Sequence, residues 1–232
     1  LLNENMGQML SPELGDMDGD GDMDLLVGDF NGFIQYFKNI GSNSSLSFTF
    51  VENVGSIDLS GNSVPTLGDL DADGDLDMLI GQLNGSLIFY RNVGSISAYN
   101  FQEEPFDDIE VESNSAPELV DRDNDGDLDL ILGSGGEGIL DFRNLGNNSN
   151  FQYQQSPTLE IPIMGVNTKP AFGKLFDLDT LDIIVGVSTG GIYHLQYEQC
   201  SALGDINGDG GFNVLDIVVL ANCVLVGNCA NI

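Results

Sequence analysis

Four short apolar runs recur along the chain, each closed by a glycine and each followed by a stretch in which apolar and polar residues alternate. The runs are "DLLVG" ending at Gly28, "DMLIG" at Gly81, "DLILG" at Gly133 and "DIIVG" at Gly186, with separations of 53, 52 and 53 residues. Runs this short, bounded by glycine and asparagine, predict strands, because helices need ten or more residues in a 3.6-residue period. The stretches that follow, "FIQYFKN", "SLIFYRN", "ILDFRN" and "IYHLQY", predict strands with one face toward a core. Turn residues such as "DFNG" and "QLNG" separate the two.

Each period repeats one internal order. A proline (Pro12, Pro65, Pro117, Pro170) opens it, and a short strand leads into an aspartate-rich loop. The apolar and alternating strands come next, and a last strand such as "SFTFVEN", "YNFQEEPF" or "NFQYQQS" closes the unit. Four short strands per period is the arithmetic of a β-propeller blade. The prediction is therefore an all-β chain of about four repeats, in units near 12–63, 64–115, 116–167 and 168–198. The fourth unit passes "IYHLQYEQ" without supplying a fourth strand. Residues 1–11 read as an orphan blade strand, because "LLNENMGQMLSP" compares well with "FVENVGSIDLSGNSVP" at the end of unit one. An unpaired sheet edge invites pairing. The orphan strand is expected to complete blade four, either within one chain or, head to tail, in a neighbouring copy.

Charge sharpens this picture. The chain has 232 residues, 41% of them hydrophobic, so it can bury a core. It also carries 37 acids against six basic residues, a formal net charge of −31. The basic residues, Lys38, Arg91, Arg122, Arg143, Lys169 and Lys174, lie scattered along the sequence and form no basic run. Nucleic acid and anionic membrane surfaces are therefore not expected partners. No apolar run is long enough to span a bilayer. Self-repulsion at this charge calls for counter-cations.

The acids concentrate just before the apolar strands. Asp16, Asp18, Asp20, Asp22 and Asp24 fall at every second position, as do Asp69, Asp71, Asp73, Asp75 and Asp77, and Asp121, Asp123, Asp125, Asp127 and Asp129. Five carboxylates within nine residues repel one another unless a cation sits among them. Gly21, Gly74 and Gly126 stand at the sixth place, where a tight loop must turn if its oxygens are to converge. The seventh residue is expected to offer its backbone carbonyl, and the ninth a carboxylate from the start of the strand. Hard oxygen donors in this number suit Ca²⁺ better than Mg²⁺, which keeps more water. Of the five alternating aspartate positions, the fourth copy, "FGKLFDLDTLDIIVG", keeps only the last, Asp182, and no metal is expected there.

The motifs "DMDGDGDMD", "DLDADGDLD" and "DRDNDGDLD" resemble the FG-GAP/VCBS repeats of integrin-α-like propellers and of many bacterial surface proteins. The resemblance covers residues 1 to about 198. It implies calcium bound within the blades as a structural metal, and an extracellular or cell-surface location. Propellers of that family commonly have six or seven blades, whereas this chain has four repeats, one of them degenerate.

From about residue 199 the text changes. Asp205, Asn207, Asp209, Asn213 and Asp216 stand at places 1, 3, 5, 9 and 12 of an EF-hand calcium loop, with Gly211 giving the carbonyl at place 7. An apolar segment, 214–226, then predicts a buried helix. The segment 199–232 resembles one dockerin repeat. Dockerins normally carry two copies, so cohesin is not an expected partner. Four calcium ions per chain are expected in all. Cys200, Cys223 and Cys229 cluster here. They predict one disulfide plus one free or intermolecular thiol, or else three reduced buried thiols.

Catalysis is not expected. His194 is the single histidine and lies in an alternating strand. No serine or cysteine sits in a nucleophile motif, and "GSGGEG" reads as a turn because it lacks the lysine of a phosphate loop. The expected function is a secreted, calcium-binding structural protein that assembles head to tail into an extracellular filament or surface layer. The alternative is a monomeric adhesin that recognises a protein or glycan. A third reading is an appended domain of a larger enzyme. Asn43, Asn84 and Asn147 open glycosylation sequons.

Overall fold

The computed structural model describes residues 7–54, 61–106, 108–136, 138–147, 149–156, 166–174 and 181–196. The segment 199–232, with its EF-hand-like loop and three cysteines, lies outside them, as do residues 1–6 of the orphan strand. Every described element is a strand, and the strands form four antiparallel sheets arranged as the blades of a four-blade propeller.

Blade one contains β1 (Ser11–Gly15), β2 (Asp24–Gly28), β3 (Ile34–Asn39) and β4 (Phe48–Asn53), paired in that order. Blade two contains β5 (Val64–Gly68), β6 (Asp77–Gly81), β7 (Leu87–Asn92) and β8 (Phe101–Glu104). Blade three contains β9 (Ala116–Val120), β10 (Asp129–Gly133), β11 (Ile139–Asn144) and β12 (Tyr153–Gln155). Blade four contains β13 (Lys169–Gly173), β14 (Asp182–Val187) and β15 (Gly191–Gln196). Among the described residues it has three strands, and β15 is paired only with β14.

The apolar runs are the second strand of each blade. In β6 and β10 they lack polar alternation because both faces are covered by apolar side chains of the neighbouring blades. Met78 and Ile80 of β6 pack with Leu26 and Tyr36 of blade one, whereas Leu79 between them packs with Leu130 and Leu132 of blade three. Ile131 in turn meets Ile183 and Val185 of blade four. Consecutive side chains thus point to alternate neighbours, and both directions require apolar residues.

The glycine closing each run marks a close approach. A Cβ at Gly28, Gly81 or Gly133 would lie 2.2, 2.2 or 2.1 Å from the backbone oxygen of Ser63, Ser115 or Thr168 on the incoming linker. These three hydroxyls are buried and staple each blade to the next. Ser63 Oγ donates to the Phe33 carbonyl, Ser115 Oγ to that of Ser86, and Thr168 Oγ1 to that of Gly138.

The junction between blades four and one is built differently. The nearest atom to a Cβ at Gly186 is the Lys169 oxygen, 4.0 Å away. None of the three apolar clusters found among the described residues joins these two blades. A polar bond crosses the junction instead: Lys169 Nζ donates to Ser11 Oγ at 2.6 Å, linking β13 to β1. Residues 7–10 run where a linker from a preceding blade would run. The Gln8 carbonyl accepts from Phe30 N, as the Gly61 carbonyl accepts from Leu83 N. Met9 has φ 51°, matching Asn62, Asn114 and Asn167 in the linkers proper.

Among the described residues, no helix is long and apolar enough to cross a membrane.

Candidate metal centres

Each acidic loop joins the first two strands of a blade, and its backbone bends at the fourth and sixth places. Gly19, Ala72 and Asn124 have φ of 71°, 59° and 58°, and Gly21, Gly74 and Gly126 have φ of 90°, 93° and 97°. These left-handed residues curl the loop around the first aspartate. Asp16 accepts from Gly19 N and Gly21 N, Asp69 from Asp73 N and Gly74 N, and Asp121 from Gly126 N. The carboxylate at the first place is thereby fixed. Those at the third and ninth places come near it in loops one and two, and those at the third and fifth places in loop three.

Three clusters result. Asp16, Asp18 and Asp24 each offer a carboxylate oxygen within 4.8 Å of the others, as do Asp69, Asp71 and Asp77. In blade three the equivalent group is Asp121, Asp123 and Asp125. Several buried oxygens here take no hydrogen bond: Asp18 Oδ1, Asp75 Oδ1, Asp121 Oδ1, Asp123 Oδ1 and Asp127 Oδ1. Buried carboxylate oxygens left bare are costly. A converging set of them fits a hard cation that accepts many oxygens. The clusters could therefore hold metal ions.

Titration behaviour points the same way. Burial pushes Asp77 and Asp129 up to about 6, against the backbone amides that favour their charged forms. Burial and then Asp125 push Asp127 to about 6 as well. Asp75 moves in the same direction, through burial and then Asp73. Without a cation these four aspartates of loops two and three hold a proton more readily than a free aspartate does.

The ninth aspartate does more than face the loop. Asp24 is fully buried and accepts from Asn39 N at 2.7 Å, from Tyr36 Oη at 2.9 Å and from Met17 N at 3.2 Å. Asp77 likewise bonds Asn92 N and Leu70 N, and Asp129 bonds Asn144 N. This residue ties the loop to the second and third strands, which explains why Asp182 survives in the degenerate fourth copy. Asp182 is buried and lies 2.6 Å from His194 Nε2, where Tyr36 meets Asp24 in blade one. The strand histidine is thus a partner of that tie.

The fifth- and seventh-place acids also hold the backbone of the loops. Asp20 Oδ1, Asp73 Oδ1 and Asp125 Oδ1 cap the backbone N–H two residues on. Asp22 accepts from Asn43 N on the β3–β4 turn, and Asn43 Nδ2 donates to the Gly21 carbonyl at 2.7 Å. The first sequon asparagine therefore clamps loop one.

The basic residues were the signal that linear reading missed. Lys38 contacts Asp18 and reaches Asp20 at 3.4 Å. Arg91 lies 3.5 Å from Asp71, and Arg143 contacts Asp123. Four of the six basic residues sit against acidic loops, since Arg122 is buried beside Asp129 at 3.7 Å and Asp141 at 3.0 Å. They look scattered in the sequence, yet Lys38, Arg91 and Arg143 occupy one place in the repeat, in "FKN", "YRN" and "FRN".

A model of the FG-GAP-like repeat family matches residues 16–80 and 69–132, together half of the chain. Each match starts at the first aspartate of one loop and runs through the strand that follows the next, so all three intact loops fall within it. A search of curated proteins found no match.

Proposed function

The chain belongs to the FG-GAP-like repeat family, and on that footing we propose that it is a calcium-clamped propeller of an extracellular protein, working as a structural or binding module. The observation that carries the reading is the recurrence of a convergent carboxylate triad in the same loop of three successive blades, with the aspartates at places one and three in each; the ninth-place aspartate completes it in blades one and two and the fifth-place Asp125 in blade three. In blade one Asp16, Asp18 and Asp24 would hold the ion. Asp69, Asp71 and Asp77 would do so in blade two, and Asp121, Asp123 and Asp125 in blade three. Bound calcium supplies positive charge where each loop gathers five carboxylates. The chain's own residues supply the shape: Gly21, Gly74 and Gly126 turn the loops, and Asp24, Asp77 and Asp129 anchor them to the blades. A fourth ion belongs to the Asp205–Asp216 segment, as a separate module on 199–232.

The blade edge supports a reading of assembly into a filament or surface layer. Blade four shows β15 paired on one side among the described residues, with Ile192 and Tyr193 exposed. Strand addition at such an edge joins copies head to tail. The second reading, a monomeric adhesin, is favoured by the Lys169–Ser11 bond, which links the first and last blades within one chain. It also draws on a groove beside β7 lined by Phe106, Ile109, Glu103 and Glu110, a mixture that suits a protein or glycan surface.

Light scattering of the full chain in millimolar calcium and in EDTA tests both parts. Calcium-dependent growth of particle mass supports assembly; a strict monomer under both conditions removes it and leaves the adhesin.

A further inference from the structure

We propose that Lys38, Arg91 and Arg143 are tethered counter-cations that occupy the acidic loops in place of metal and compete with it, so that they set the calcium affinity of each blade. The inference rests on the reading of these loops as calcium sites.

Three observations carry it. First, the contacts are in register. Each residue stands just before the asparagine that ends the third strand, and each meets the aspartate at the third place of its own loop: Asp18, Asp71 or Asp123. That aspartate belongs to every carboxylate triad. Side chain and metal therefore claim the same carboxylate. Second, the cations and the acids disappear together. In the fourth copy Lys174, Phe176, Leu178 and Thr180 replace aspartates, and Gln196, paired with Asp182, stands where the other blades carry lysine or arginine. A basic residue kept for general solubility has no reason to follow the loop's charge. Third, the side chains are free to leave. Those of Lys38, Arg91 and Arg143 are partly exposed, at 38%, 33% and 47%. Their long stems can swing the charge into water without opening a cavity in the core.

In the metal-free loop the tethered charge offsets part of the repulsion among five carboxylates and keeps the blade folded. On metal binding it must give up its claim to the shared carboxylate. Removing it should leave a loop that is less stable when empty and a better ligand when calcium is supplied.

The test is calorimetric titration of the full chain with Ca²⁺ alone, comparing wild type with Lys38→Met, Arg91→Met and Arg143→Met. Lys174→Met removes the same charge from the copy that lacks the acids, and Lys38→Arg keeps the charge in place. The proposal expects each Met variant to tighten one site by roughly fivefold or more and to lower the melting temperature in EDTA. Lys174→Met and Lys38→Arg should stay near wild type. Unchanged or weaker binding in the Met variants overturns the proposal, because it makes the cations supports of the ligands. Tightening by Lys174→Met to the same degree also overturns it, since net charge alone then accounts for the effect. If wild type takes up no calcium, the calcium reading fails and the inference falls with it. If wild type binds and the variants do not tighten, only the inference fails.

Discussion

Arg122 Nη1 lies 3.0 Å from Asp141 Oδ2 inside blade three, at the position where blade two packs Leu70 beside Phe89. An ion pair has replaced an apolar pair at one place in the repeat, and both partners are buried. Burial pushes Asp141 upward on balance, and Arg122 offsets part of that shift. Arg122 also faces Asp129, the ninth loop residue, and blade three is the one whose triad uses Asp125 instead of that residue.

Breaking this pair from one side should be severe. Arg122→Leu strands a buried carboxylate and is expected to lose about 3–5 kcal/mol. The double replacement Arg122→Leu with Asp141→Phe copies blade two and should recover most of that loss. Urea unfolding of the single and double variants in EDTA measures both. A double variant as unstable as the single one contradicts this account.

Ala72 has φ 59° at the place where loop one has Gly19 and loop three Asn124. An alanine in this region is disfavoured by about 1–2 kcal/mol. Ala72→Gly relieves the strain but adds freedom to the unfolded chain. The expected net gain is about 0.5–1 kcal/mol, read as a higher melting temperature in EDTA. A loss of stability there counts against the conformation.

The inter-blade glycines divide into two kinds. Gly81→Ala drives a methyl against the Ser115 carbonyl and is expected to cost about 2–3 kcal/mol. Gly186→Ala brings a methyl no nearer than 4.0 Å to the Lys169 oxygen and should stay within about 0.5 kcal/mol. Equal losses at both positions contradict the different construction of the junction between blades four and one.

Glu13 and Glu118 lie on the first strands of blades one and three and reach the next blade. Glu13 accepts from Leu67 N at 3.0 Å, and Glu118 from Phe172 N at 3.3 Å. Burial, then the charge of Glu118, pushes Glu13 up to about 8, and burial pushes Glu118 to about 7. A carboxyl raised on folding is better protonated in the folded state. Its ionisation therefore opposes folding, progressively, as pH rises from about 4.3 in the unfolded chain to about 7 or 8 in the folded one. The metal-free protein should lose melting temperature between pH 5 and pH 8. Glu13→Gln should flatten that slope, and an unaltered slope in this variant refutes the assignment.

The fold was legible because its punctuation was local. Gly28, Gly81 and Gly133 sit where a neighbouring backbone leaves no space for a side chain, so the period shows directly in the text. The loop aspartates were legible for a similar reason: convergence within nine residues needs no tertiary information. The partners of those aspartates were not. Lys38 is 20 residues from Asp18 and Asn43 is 21 from Asp22, so each contact exists only after a hairpin has formed. Arg122 hid for another reason, since a charge at a core position announces nothing until its partner, Asp141, is known to face it. The second role of Asp24, Asp77 and Asp129 was likewise invisible, because a ligand and a backbone anchor look the same in a one-dimensional motif.

The most direct test of the calcium-clamped propeller is ion counting on the exhaustively demetallated full chain. The measurement is equilibrium dialysis against ⁴⁵Ca²⁺ for wild type and for Asp16→Asn, Asp69→Asn and Asp121→Asn. This account predicts uptake by wild type, with one ion fewer in each variant, and a melting temperature that falls on chelation. No uptake by wild type, or unchanged uptake in all three variants, contradicts it.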